Sequence, residues 1–150
     1  MSKIAQLPDD AKIWIYQANR KLTSEDKAFI ESKLPLFMND WAAHGDKLNA
    51  FAEIISDYHI ALSVVEDLAI ASGCSIDAST RFVKMLEKSL EISFMDRFNM
   101  LIEIEGEFSY IHFSKLNTLP ENAIVYNNSV STVGAFKNHW KQSAKNFSFV

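Results

Sequence analysis

The order of patterned segments predicts an α+β fold, an antiparallel sheet with helices on one face. Three observations carry that expectation. Two stretches, Leu48–Val65 and Phe98–His112, alternate apolar and polar residues with period two and double back at polar turns, as hairpins do. Two others place their apolar residues three and four apart, the spacing of one helical face. The succession strand, helix, two strands, helix, strands matches a split β-α-β unit. The expected architecture is therefore an extended ferredoxin-like fold, with an extra hairpin strand and a C-terminal helix, in a single domain over 1–150.

"KIWIYQA" (Lys12 to Ala18) is short, rich in β-branched and aromatic residues, and bounded by polar turns, so it reads as the first strand. Thr23 or Ser24 can cap a helix whose residues Ile30, Leu34, Phe37 and Trp41 share one face. Pro35 predicts a kink or a break within it, and His44-Gly45 its end. The first hairpin turns at Ser56-Asp57. After the loop "EDLAIASGCSID", a helix is expected from about Ala78 to Leu90, with Phe82, Met85 and Leu86 inward and Ser75 or Asp77 as its cap. The second hairpin turns at Glu105-Gly106-Glu107. Beyond a short helical turn near Ser114, "AIVYNNS" reads as one more strand and "STVGAFKNHW" as a last helix with Val133, Phe136 and Trp140 inward.

If two helices cover one sheet face, Trp14, Tyr16, Phe51, Leu101, Ile111 and Phe113 point to the other. Either the C-terminal helix covers them or a partner subunit does. Since large exposed apolar patches on soluble proteins mark contacts, a homodimer through this second sheet face is the expectation, with coverage by the C-terminal helix alone as the alternative.

A net charge of −4 and a pI near 5.5 oppose nucleic-acid binding, which needs clustered Lys and Arg. The densest basic stretch, Lys137 to Phe147, reads as a solvated helix face. Aromatic stacking platforms for RNA are opposed by Glu53, Glu103 and Glu105 on the same strands. No run approaches the ~20 apolar residues of a membrane span, and none has the length of a signal peptide. A single cysteine permits no intrachain disulfide, so a cytoplasmic location is expected.

The segments "KIWIYQANRKLT", "WAAHG", "ASGCSID" and "IVYNNSVST", in that order, resemble a family of small bacterial proteins of about this size, some labelled "ABC transporter ATPase". The resemblance covers about Ala11 to Trp140 and implies no catalytic residue. The residues do not support the label: the glycines stand at 45, 73, 106 and 134, and none belongs to a phosphate-cradling G-x-x-x-x-G-K-[ST] loop.

Cys74 is the candidate catalytic residue, because a thiol near a helix N-terminus ionises more easily. A phosphatase-type loop has one residue fewer than separate Cys74 from Arg81, and one residue rotates the guanidinium roughly 100° around a helix. A cysteine hydrolase would need a base from His44, His59, His112 or His139 and a third member such as Asp67 or Asp77. The histidines lie singly and no C-x-x-C or H-E-x-x-H occurs, so no metal and no cofactor is expected. The polar loop Tyr126 to Thr132, between a strand and a helix, can hold a small anion. A ligand site is therefore expected between Ser72, Gly73, Cys74, Ser75 and Asp77 on one side and Asn127, Asn128 and Ser129 on the other. Together these features predict a non-enzymatic domain acting by self-association or by binding a partner or small ligand. The alternative is a small enzyme or redox-responsive protein using Cys74.

Overall fold

The computed structural model describes residues 2–42, 49–65 and 73–149, and among these the side chains of 40–42, 49, 73–76 and 78 lie outside the description. Strand β1 (Lys12–Gln17) leads into helix α1 (Ser24–Ala42), the hairpin β2 (Asn49–Ser56) and β3 (His59–Val65), and helix α2 (Gly73–Leu90). A second hairpin, β4 (Asn99–Ile104) and β5 (Glu107–His112), precedes β6 (Ile124–Tyr126), helix α3 (Val133–His139) and β7 (Lys141–Ser143). Short 3-10 helices cover Ile4–Gln6, Phe113–Thr118 and Ala144–Asn146.

Local chemistry explains most of these boundaries. Thr23 Oγ1 accepts from the Asp26 backbone N–H at 3.0 Å, while Asp26 Oδ2 accepts from the Thr23 N–H at 2.8 Å. Two orphan donors at the start of α1 are thereby satisfied reciprocally. The Arg20 guanidinium donates to Asp26 at 2.5 Å and holds its carboxyl down at about 2. Pro35 lies inside α1 without ending it, because Ile30, Leu34 and Phe37 on either side are buried and tertiary packing outweighs one lost backbone bond. The expected close at His44-Gly45 and the inward side chain of Trp41 lie outside the described residues. The β4–β5 turn needs two left-handed residues, and Glu105 (φ 50°) and Gly106 (φ 80°) supply them.

The fold is α+β with two antiparallel sheets. The first has the order β1-β3-β2, and the second β5-β4-β6-β7. The expected single ferredoxin-like sheet is corrected at β4. In that topology β4 would pair with β1, but its backbone pairs with β5 and β6. The reason lies partly in β1, whose outer edge is already taken. The Ile13 N–H donates to Ser131, and the Val133 N–H donates to Ala11.

Layering follows from the two faces of the first sheet. Tyr16, Ile60, Leu62 and Val64 pack with Ile30, Leu34 and Phe37 of α1 and Phe82, Val83 and Leu86 of α2. Ile13, Ile15, Ala61 and Val65 face the other way, onto Ile4, Leu101, Tyr126, Val133, Phe136 and Trp140. Trp14 and Tyr16 therefore pack toward the helices, the reverse of the expected phase. Both faces of β1 are apolar, so its alternation contained no phase information. Phe51 and Leu101 do lie in the second layer, Ile111 packs against the far face of the second sheet, and Phe113 remains 43% exposed. The second face of the first sheet is thus covered by the chain's own second sheet and α3.

Candidate functional site

The two sheets meet where β1 ends. Gln17 is buried, and its primary amide behaves as one peptide unit of a neighbouring strand: Nε2 donates to the Asn99 carbonyl and Oε1 accepts from the Leu101 N–H, both at 2.9 Å. These are the groups of β4 that point away from β5, before β6 arrives to pair at Ile102 and Glu103. One side chain replaces the ladder that a ferredoxin-like sheet would have formed there.

The same amide oxygen accepts from Asn128 Nδ2 at 2.9 Å, and Asn128 Oδ1 accepts from the Trp140 indole at 3.0 Å. Asn127, fully buried, accepts from the Ser129 N–H at 3.1 Å and donates to the Ser148 carbonyl at 3.4 Å. Asn127, Asn128 and Ser129 were expected to bind a ligand, and much of their polar capacity is spent inside this joint. Of their expected companions, Ser72 and the side chains of Cys74 and Ser75 lie outside the described residues, and Asp77 is exposed. Helix α2 starts at Gly73, ahead of the expected Ala78, so Ser75 and Asp77 lie within the helix and do not cap it. Their cap-forming residue types had suggested a later start.

Arg97 completes the joint and was missed. Its guanidinium donates to the Ile15 carbonyl at 3.2 Å and the Asn128 carbonyl at 3.4 Å, and lies 5.6 Å from the centre of the Tyr16 ring. Burial raises the Tyr16 pKa, an effect opposed by its contacts with Ser79, Arg97 and Thr80. Arg97 has neutral partners only among the described residues. It borders two cavities. A small one of about 100 Å³ is shared with Asp96, Asn127 and Phe149, and an open groove of about 690 Å³ runs between β1 and residues 128–132. Lys12 and Asp10 also line the groove. Asp96 accepts from the Asn99 side-chain amide and from the Phe98 and Asn99 backbone N–H groups, which in that order hold its carboxyl below the usual range. A single arginine in "MDRFN" carries no sequence signal for such a position.

The three described histidines, His59, His112 and His139, each sit in a separate local setting. His44 and Asp67 lie outside the described residues. His112 Nδ1 accepts from the Ser114 N–H at 3.2 Å, which makes it the cap of a 3-10 turn. The His139 carbonyl receives a hydrogen bond from the Gln142 amide. His59 is fully buried, with Nδ1 2.7 Å from Ser56 Oγ and its ring 5.4 Å from Tyr126 and 5.0 Å from Trp140. Its Nε2 reaches no hydrogen-bond partner among the described residues. Burial, helped by Lys141, pushes the imidazole down to about 3, so it is neutral and sealed from substrate. Among the described residues no group of three or more His, Cys, Asp or Glu could hold a metal ion, and no helix is long and apolar enough to cross a membrane.

No family model, curated protein or solved structure matches the chain.

Proposed function

We propose that this chain is a non-catalytic binding domain whose ligand is a small anion held by Arg97 in the groove beside β1. One observation carries the reading: a guanidinium at a 690 Å³ groove whose partners are two carbonyls and a ring. Ligand pockets have volumes of this order, and arginine suits carboxylate and phosphate because its planar fork can donate two parallel hydrogen bonds. The carbonyls and Tyr16 orient the fork without neutralising it. Asn128 and Ser129, held by the joint, form the facing wall.

Thermal-shift and calorimetric titrations with inorganic phosphate and with succinate test this. The wild-type protein is expected to bind one of them and to gain Tm with concentration. A charge-assisted hydrogen bond contributes about 1.5–3 kcal/mol, so Arg97→Gln should weaken binding by roughly ten- to a hundredfold while remaining folded. Equal binding by Arg97→Gln would reject the site.

The position of Cys74 favours a second reading, a cysteine-dependent enzyme or redox-responsive protein. Because α2 opens at Gly73, residue 74 belongs to its first turn, where the helix dipole favours a thiolate. An alkylation rate that titrates well below the ordinary thiol range would support this reading. A rate that rises only above about pH 8.5 would remove it.

A further inference from the structure

The four sheet edges are not equivalent. The edge of β1 is occupied by Ser131, Arg97 and the Gln17 side chain; that of β2 is broken by a register shift between Ile54 and Ser56; β7 has three residues. Natural sheets avoid unwanted pairing by such blocked, bulged or short edges. Strand β5 uses none of them. It is six residues long, pairs with β4 in continuous register, and has no strand on its other side among the described residues.

The hydrogen-bond phase shows what this edge offers. The Phe113 N–H donates to the Phe98 carbonyl, so in this register residues 107, 109 and 111 point their backbone groups at β4. Phe108, Tyr110 and His112 point theirs outward, unpaired among the described residues. Phe108 is also 43% exposed.

We infer that β5 is the contact through which two copies of this chain associate, pairing antiparallel about Tyr110 to join their second sheets. In that register Tyr110 meets the second copy's Tyr110 and Phe108 meets the second copy's His112. The outward N–H and C=O groups of all three residues are then satisfied. Charge selects this arrangement. Glu105 and Glu107 stand at one end of the strand and Lys115 just beyond the other, so antiparallel self-pairing brings acid to base at both ends. Parallel pairing would put acid against acid. The association is isologous and closes at two copies, because pairing consumes the edge.

Sedimentation equilibrium over about 1–500 µM tests this on the full chain. The wild-type protein is expected to move reversibly from 17.0 kDa to twice that mass. Phe108→Pro removes an outward N–H that the β4 ladder does not use, and should weaken association at least tenfold. Glu107→Lys should weaken it as well, and adding Lys115→Glu should restore it, a rescue that needs no proline and separates pairing from misfolding. A wild-type protein that stays at 17.0 kDa throughout would overturn the inference. So would a dimer indifferent to both single variants, or one that Lys115→Glu fails to rescue.

Discussion

Gln17→Ala is expected to destabilise the protein by about 3 kcal/mol or more, an unusually large cost for a polar side chain at a strand end. The amide makes three hydrogen bonds, to Asn99, Leu101 and Asn128, and removing it leaves the buried Leu101 N–H without a partner. An orphaned buried donor costs about 1–3 kcal/mol, and the lost bonds add roughly 0.5–1.5 kcal/mol each. Gln17→Glu should also be destabilising, since it keeps an acceptor for Leu101 but loses the donor to Asn99 and buries a carboxylate. Urea midpoints measure both variants, and hydrogen exchange at the Leu101 amide locates the damage. A Gln17→Ala loss below about 1 kcal/mol would mean that the sheets are joined by apolar packing alone.

Acidification is expected to weaken the protein from about pH 6.5 downward. His59 has an ordinary pKa of 6.5 when unfolded and about 3 in the folded cage of Tyr126 and Trp140. Below pH 6.5 the unfolded chain takes up a proton that the folded one refuses, so stability falls as pH drops from 6.5 toward 3. At 1.36 kcal/mol per pKa unit the loss is about 3 kcal/mol by pH 4. Asp26, Asp57 and Asp96 are lowered from 3.8, chiefly by hydrogen bonds from Arg20, Lys27 and Asn99, so their contributions are lost only as pH falls below about 3.8. Denaturant midpoints between pH 7 and 4 should therefore fall steeply for the wild-type protein and much less for His59→Leu. Equal slopes would place the acid sensitivity elsewhere.

Strands β1 to β5 were legible where one side of the pattern was polar or a turn stood at the right place. Glu105-Gly106 marked its hairpin because glycine favours a left-handed turn. Strand β7 was not legible: "KQS" has no apolar residue, and the neighbourhood read as a basic helix, yet the strand pairs with β6 because Trp140, just before it, is anchored in the core. The split into two sheets was hidden for a different reason. Apolar periodicity specifies which face is buried, but not which strand lies alongside, and here that choice turns on the side-chain amide of Gln17 and on Ser131 at the edge of β1. The candidate site was half legible. The loop Asn127–Ser129 was singled out for its amides, which turn out to brace the joint, whereas Arg97 emerges only from the contacts it makes with Ile15, Asn128 and Tyr16.

Anion binding at Arg97 is tested most directly by an NMR titration with inorganic phosphate, following arginine side-chain Nε–Hε and backbone amide resonances. Saturable shifts are expected at the Arg97 guanidinium and at the backbone amides of 128–132 that line the groove with it. Shifts that never saturate, or that saturate only at residues away from Arg97 and this segment, would contradict the proposed site.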